Sequence, residues 1–199
     1  MRFPAAKYRW HGEGRRPPTG LGIASILVAG ATLLLANAGS AMALTLTSSA
    51  FAPSGKIPSK YTCEGADLSP PLAIAGVPDG TKSLALIVDD PDAPDPKAPK
   101  RVWVHWVVYN LPPDSQGLPE DASRAGLPKG AVTGVNDRKK TNYGGPCPPI
   151  GRHRYFHKLY ALDVTLPPNP LTKSELEAAM KGHVLAQAEL IGTYQKGDP

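Results

Sequence analysis

The sequence predicts a mainly β, antiparallel domain with one C-terminal helix, and three observations carry that expectation. Gly (20) and Pro (23) are abundant enough to divide the chain into short elements joined by many turns. The apolar runs are short and rich in β-branched and aromatic residues, as strands are. A helix-capping motif followed by an apolar stripe stands out near the C-terminus.

The chain has 199 residues, 41% hydrophobic and 20% charged. That composition fits a soluble globular protein and excludes a disordered chain. The net charge of +5 does not make a nucleic-acid binder, because five of the basic residues and only one acidic residue fall in positions 1–43. The remainder is close to neutral.

The elements follow in order. Residues 1–20 are polar and basic, residues 21–36 (LGIASILVAGATLLLA) carry no charge, and Ala41-Met42-Ala43 has small residues flanking one larger one. A basic, an apolar and a small-x-small region in that order predict a secretory signal peptide cleaved after Ala43. The apolar run of 16 residues falls short of the roughly 20 needed to span a bilayer. The expectation is therefore an exported protein, periplasmic or secreted, consisting of one domain over 44–199 with no lasting membrane span. An uncleaved anchor is the alternative. Export also sets the redox compartment, in which Cys63 and Cys147 are free to form one bridge; two buried thiols are the alternative.

Leu44–Thr47 alternates weakly. Ser83–Val88 (SLALIV) and Val102–Asn110 (VWVHWVVYN) read as strands, the second buried on both faces, and Tyr155–Val164 reads as another. Thr172-Lys173-Ser174-Glu175 is a capping box. Leu176, Met180, Val184, Ala188 and Ile191 continue it as a helical stripe, with His183 beside the stripe and Gly192 ending it.

Three segments carry chemistry. Asp89-Asp90-Pro91-Asp92-Ala93-Pro94 crowds three carboxylates into a turn stiffened by proline; a solvated acidic turn is the plainer alternative. His105 sits within an apolar strand, where a buried imidazole needs partners for its ring nitrogens; a core histidine with satisfied hydrogen bonds is the alternative. In Gly145–Tyr155 (GPCPPIGRHRY) a Gly/Pro loop leads into a strand, with His153, Tyr155 and His157 on one face. Glycine lets backbone N–H groups approach an anion closely, so this segment reads as part of an oxyanion pocket; a loop whose histidine only hydrogen-bonds locally is the alternative.

In this order, these segments resemble the phosphatidylethanolamine-binding protein family, in its bacterial Raf kinase inhibitor-like branch of the YbhB/YbcL type. The resemblance rests on Ser69-Pro70-Pro71-Leu72, DPDAP at Asp90–Pro94, Trp103–His105 leading to Asn110, GPCPPIGRHRY at Gly145–Tyr155, and Leu159–Asp163. It covers roughly Leu44–Tyr194.

The resemblance implies a large antiparallel sheet flanked by a smaller one. It also implies a shallow anion pocket built by Asp90, Pro94, His105, Gly145, His153 and Tyr155, with Gly145 lending a backbone N–H. The ligand would be phosphate, a carboxylate or a phospholipid headgroup, with no catalytic residue, cofactor or metal, and a protein partner is a further expectation. Both cysteines lie beside loops of the pocket end, so one Cys63–Cys147 bridge is the hypothesis. Histidine protonation predicts anion affinity that falls as pH rises through about 6.5. Two rival readings remain. One is an inhibitor of an exported protease. The other is a hydrolase with a metal among Asp90, His105 and His153, although no G-x-S-x-G elbow is present.

Mass analysis of the exported protein should give Leu44 as its first residue. A chain still beginning at Met1 would overturn the cleavage expectation.

Overall fold

The computed structural model describes residues 43–198, so the leader expectation lies outside the described residues. The chain forms β1 (Thr45–Thr47), β2 (Leu72–Ala75), β3 (Ser83–Asp90), β4 (Trp103–Leu111), β5 (Gly117–Leu118), α1 (Ala122–Ala125), β6 (Val132–Thr133), β7 (His153–Leu162), α2 (Lys173–Met180) and β8 (Val184–Tyr194). Two antiparallel sheets result. The small one has the order β1-β2-β5 and the large one β6-β4-β3-β7-β8.

Strand β3 is central because its residues allow nothing else. The run Ser83–Asp90 is buried at every position and is hydrogen-bonded to β4 on one side and β7 on the other. Its side chains alternate between faces. Leu84, Leu86 and Val88 join Leu46, Ile74 and Leu118 of the small sheet in one core. Ala85 and Ile87 pack with Val107, Leu176 and Met180 in a second core under α2. Burying Leu176 fully stabilises by about 1.5–3 kcal/mol and holds α2 on the sheet. The Thr172 hydroxyl accepts from the Glu175 N–H, and the Glu175 carboxylate accepts from the Thr172 N–H, which completes the capping box.

The C-terminal helix is shorter than the apolar stripe predicts. It stops at Met180, and residues 184–194 instead form the edge strand β8, paired with β7 from Leu162↔Val184 to His153↔Tyr194. A spacing of four fits one face of a helix, but, being even, it also fits one face of a strand. Leu176, Met180, Val184 and Ala188 therefore do not discriminate between the two. Gly182, at φ 84°, turns the chain out of the helix, and Ile191-Gly192-Thr193-Tyr194 favours extended backbone. Gly192 does not end a helix. It lies inside β8, where a Cβ would come within 2.5 Å of the Ile57 side chain. His183 pairs with Asp163 at 2.8 Å.

Cys63 and Cys147 form a disulfide across 84 positions of sequence, with Cα atoms 5.4 Å apart. The bridge ties the segment after the short 3₁₀ turn Ser59–Tyr61 to the loop that precedes β7. Closing a loop of this length restricts the unfolded chain, so Cys63→Ser/Cys147→Ser should lower the unfolding free energy by about 4 kcal/mol. Equilibrium denaturation of parent and variant measures this, and equal stabilities would contradict it.

Candidate functional site

The alternation of β3 sorts the acidic turn. Asp89 points to the α2 side, where it is fully buried and pairs with Lys158 (2.9 Å) and Lys173 (2.5 Å). Asp90 points to the other face and meets His153, its Oδ2 lying 2.7 Å from Nδ1. Asp92 takes the Arg154 guanidinium through both oxygens, at 2.7 and 2.9 Å. The three carboxylates are therefore three anchored groups, not a solvated acidic turn. The Ala93–Pro94 peptide that follows is cis.

A bulge positions His105. Val88 pairs with Trp106 and Asp89 with Val104, which leaves His105 as the extra residue on β4. Bulges of this kind re-aim a side chain. The imidazole packs edge-on against Tyr155, with ring centroids 5.2 Å apart, and its Nδ1 donates to the Gly144 carbonyl at 2.5 Å. Nε2 is buried without a partner.

A cavity of about 270 Å³ opens where these groups meet. Its wall includes Asp90, Pro94, His105 and His153, four of the six residues expected from sequence, together with Arg101, Trp103 and Arg138. Cys147, Pro148 and Pro149 form one side. Gly145 and Tyr155 do not line it. The Gly145 N–H, expected to face a ligand, donates to Asp67 Oδ1 at 2.7 Å, and the Gly145 carbonyl accepts from Arg138 at 3.0 Å. A Cβ at Gly145 would come within 2.4 Å of both Asp67 Oδ1 and the Tyr61 carbonyl, so only glycine fits there. The Tyr155 hydroxyl is buried without a partner, and burial holds its pKa far above that of a free phenol.

His153 has neither ring nitrogen free for a ligand: Nε2 donates to the Ile150 carbonyl at 2.9 Å, and Nδ1 shares its hydrogen bond with Asp90. It positions the Asp90 carboxyl and the turn at Ile150. Burial pushes the Asp90 carboxyl upward against the opposing pull of His153, while the Arg154 guanidinium holds Asp92 below the usual carboxylate range. Two arginines add guanidinium groups to the wall. The Arg101 guanidinium lies over the Trp103 ring at 4.1 Å, and Arg138 is held 3.5 Å from Asp67. Sequence reasoning missed both arginines and Asp67. Arg101 is two residues from Trp103, a spacing that can place both on one strand face, but nothing local marks Arg138 or Asp67.

Among the described residues, no group of three His, Cys, Asp or Glu side chains is arranged to hold a metal ion. Asp90, His105 and His153 share one cavity, but Asp90 pairs with His153 and accepts from the Asp92 N–H, and both imidazoles bond to backbone carbonyls. The wall presents guanidinium, carboxyl and imidazole groups to one small cavity.

Such a cavity at the end of a large antiparallel sheet, backed by a smaller sheet, defines a class of β-sandwich ligand-binding domains. The chain matches phosphatidylethanolamine-binding protein over residues 47–195 and belongs to that family. It is 53% identical over 156 residues to a UPF0098 protein of Methanothermobacter thermautotrophicus, covering 77% of this chain and all of that protein. Two solved structures are similar. One is a phosphatidylethanolamine-binding protein homologue of Chlamydia trachomatis (46% identity, TM-score 0.71, 77% of this chain and 98% of the other). The other is E. coli YbcL, a member of the same family (34%, TM-score 0.70, 77% and 99%).

His105 is not the source of the pH dependence expected near 6.5. Burial pushes both His105 and His157 down to about 4, so both are neutral at that pH. Between pH 6.5 and 4 the unfolded chain takes up protons that the folded chain refuses. Stability should therefore fall as pH falls through this window, by roughly 1.4 kcal/mol per pH unit for each histidine. Denaturant unfolding at several pH values measures the slope, and a flat profile would show that these imidazoles are not buried as described.

Proposed function

We propose that the protein is an exported, non-enzymatic binding protein. The cavity at the end of β3 takes a small anion, either phosphate, a carboxylate or the phosphate of a phospholipid headgroup. The observation that carries this reading is the pair of guanidiniums, Arg101 and Arg138, on a wall that also holds the Asp90–His153 pair, His105, prolines and Trp103. Guanidinium groups present paired N–H donors that match phosphate and carboxylate geometry. Trp103 beneath Arg101 and Asp67 beside Arg138 hold both side chains in place, which reduces the entropy lost on binding. Membership of a family described as phosphatidylethanolamine-binding supports the phosphate-bearing choice. Export rests on the leader sequence, and ligand-dependent contact with a protein partner is part of the same reading.

Phosphate titration followed by backbone NMR should move amides in 93–105 and 138–155 and leave those near α2 unchanged. Arg138→Ala should weaken phosphate binding by roughly 1.5–3 kcal/mol, the worth of a charge-assisted hydrogen bond. Shifts clustered elsewhere, or unchanged affinity in Arg138→Ala, would refute the site.

A further inference from the structure

The Cys63–Cys147 bridge borders the cavity and belongs to neither apolar core. Cys147 is exposed and lines the cavity beside Pro148 and Pro149, while Cys63 is half-buried. Exchange with an external thiol requires access to a sulfur, and exposed bridges form the labile class of disulfides.

The bridge is not alone in holding its two segments together. The Cys63 N–H donates to the Pro146 carbonyl at 3.0 Å, and the Tyr143 hydroxyl donates to the Tyr61 carbonyl at 3.0 Å. A Cβ at Gly145 would lie 2.9 Å from the Thr62 Cα, so the two backbones pack directly on each other. None of these contacts involves sulfur. With the bridge open they keep residues 61–63 against 143–147, and both thiols stay in position to close again.

The cavity also selects what can reach the bridge. Arg101 and Arg138 share the wall with Cys147, and Asp90, the carboxylate on that wall, is paired with His153. Guanidinium groups attract an incoming anion and stabilise a thiolate beside them.

We propose that Cys147 is a covalent exchange site for anionic low-molecular-weight thiols, those whose body carries a carboxylate or sulfonate. The incoming thiolate attacks Cys147 Sγ. The bond to Cys63 Sγ breaks, and its electron pair leaves on Cys63 as a thiolate that takes a proton from water. The product is a mixed disulfide at Cys147, its anionic body in the cavity beside the guanidiniums, and a free thiol at Cys63. One disulfide replaces another, so no oxidant or reductant is consumed. Attack of the Cys63 thiolate on Cys147 Sγ reverses the step and expels the thiol. The charge preference rests on the same guanidiniums as the proposed anion site.

The purified disulfide-bonded protein is incubated at mildly alkaline pH with mercaptoethanesulfonate, mercaptoethanol or cysteamine. Free thiols are trapped with iodoacetamide, and adducts are located by peptide mass spectrometry. Each rate is divided by that of the same thiol on the urea-unfolded protein, which cancels the thiols' own nucleophilicities. The sulfonate should add to Cys147 and leave Cys63 to the trap. Its normalised rate should exceed that of cysteamine by about fivefold or more, with mercaptoethanol between them. Salt at about 1 M, where the screening length falls to roughly 3 Å, should remove most of the difference. Arg101→Gln should reduce the preference by about twofold or more. The circular dichroism of the folded protein should survive adduct formation. Adducts on Cys63, equal normalised rates for the three thiols, no adduct at thiol concentrations that open the bridge of the unfolded protein, or loss of the folded spectrum would each overturn the proposal. Phosphate binding is measured separately. Phosphate affinity without thiol selectivity refutes this inference alone, and selective exchange without phosphate affinity refutes the anion-binding reading alone.

Discussion

Two adjacent carboxylates at the end of the central strand govern this structure. Asp89 and Asp90 are both buried, on opposite faces of β3. An ionised carboxylate removed from water costs several kcal/mol unless a cation and hydrogen bonds replace the solvent. Asp89 therefore requires Lys158 from β7 and Lys173 from the start of α2, which ties helix, strand and sheet at one point. Asp90 requires the imidazole of His153, the first residue of β7. A shift of β7 by one residue would exchange the faces, setting Lys158 and His153 on the wrong sides. The acidic pair thus fixes the β3–β7 register as firmly as the apolar side chains do.

The cavity follows from that register. With His153 opposite Asp90, the turn before β7 is drawn in through the Ile150 carbonyl. On the other side of β3, the bulge at His105 frees its imidazole from the strand pattern and aims it at the Gly144 carbonyl, while the Gly144 N–H donates to the His105 carbonyl at 3.1 Å. The loop 144–150 is then held by β4 and β7, the two strands that flank β3, and the space left between loop and strand ends is the cavity.

Much of this was legible in sequence, and the failures have physical causes. Strands β3, β4 and β7 were readable because burial on both faces, or strict alternation, leaves a local pattern. So did the Thr172 capping box, which is satisfied within four residues. Residues 184–194 were misread because apolar positions four apart do not separate the two periods. Asp90, Pro94, His105 and His153, named through the family resemblance, lie on one cavity wall. Arg138 and Asp67 were not named, since 71 positions separate them and only the fold brings them together. The role of Gly145 was read as a ligand contact when its cause is close approach to Asp67 and Tyr61. A glycine in a sequence marks a place where a side chain does not fit, without saying what occupies the space.

The restraints on the two sides of the cavity are unequal. The loop 143–147 is held by the disulfide at Cys147, by Tyr143 donating to the Tyr61 carbonyl, by the Gly145 N–H to Asp67, and by the Cys63 N–H to the Pro146 carbonyl. Its Gly/Pro sequence leaves few alternative conformations. The facing loops 95–101 and 138–142 have exposed lysines and fewer long-range bonds. One wall is therefore fixed in shape, and the other is carried on segments that can change without disturbing either core. Substitution in the first wall removes the cavity, because its bonds also close the fold. Substitution of the lysines in the second changes the charge and reach of the rim, whereas Arg138 also donates to the Gly145 carbonyl and pairs with Asp67. The charge presented at the cavity mouth is in consequence set by Arg101, Arg138 and the lysines beside them, on a frame held by the Asp90–His153 pair and the disulfide.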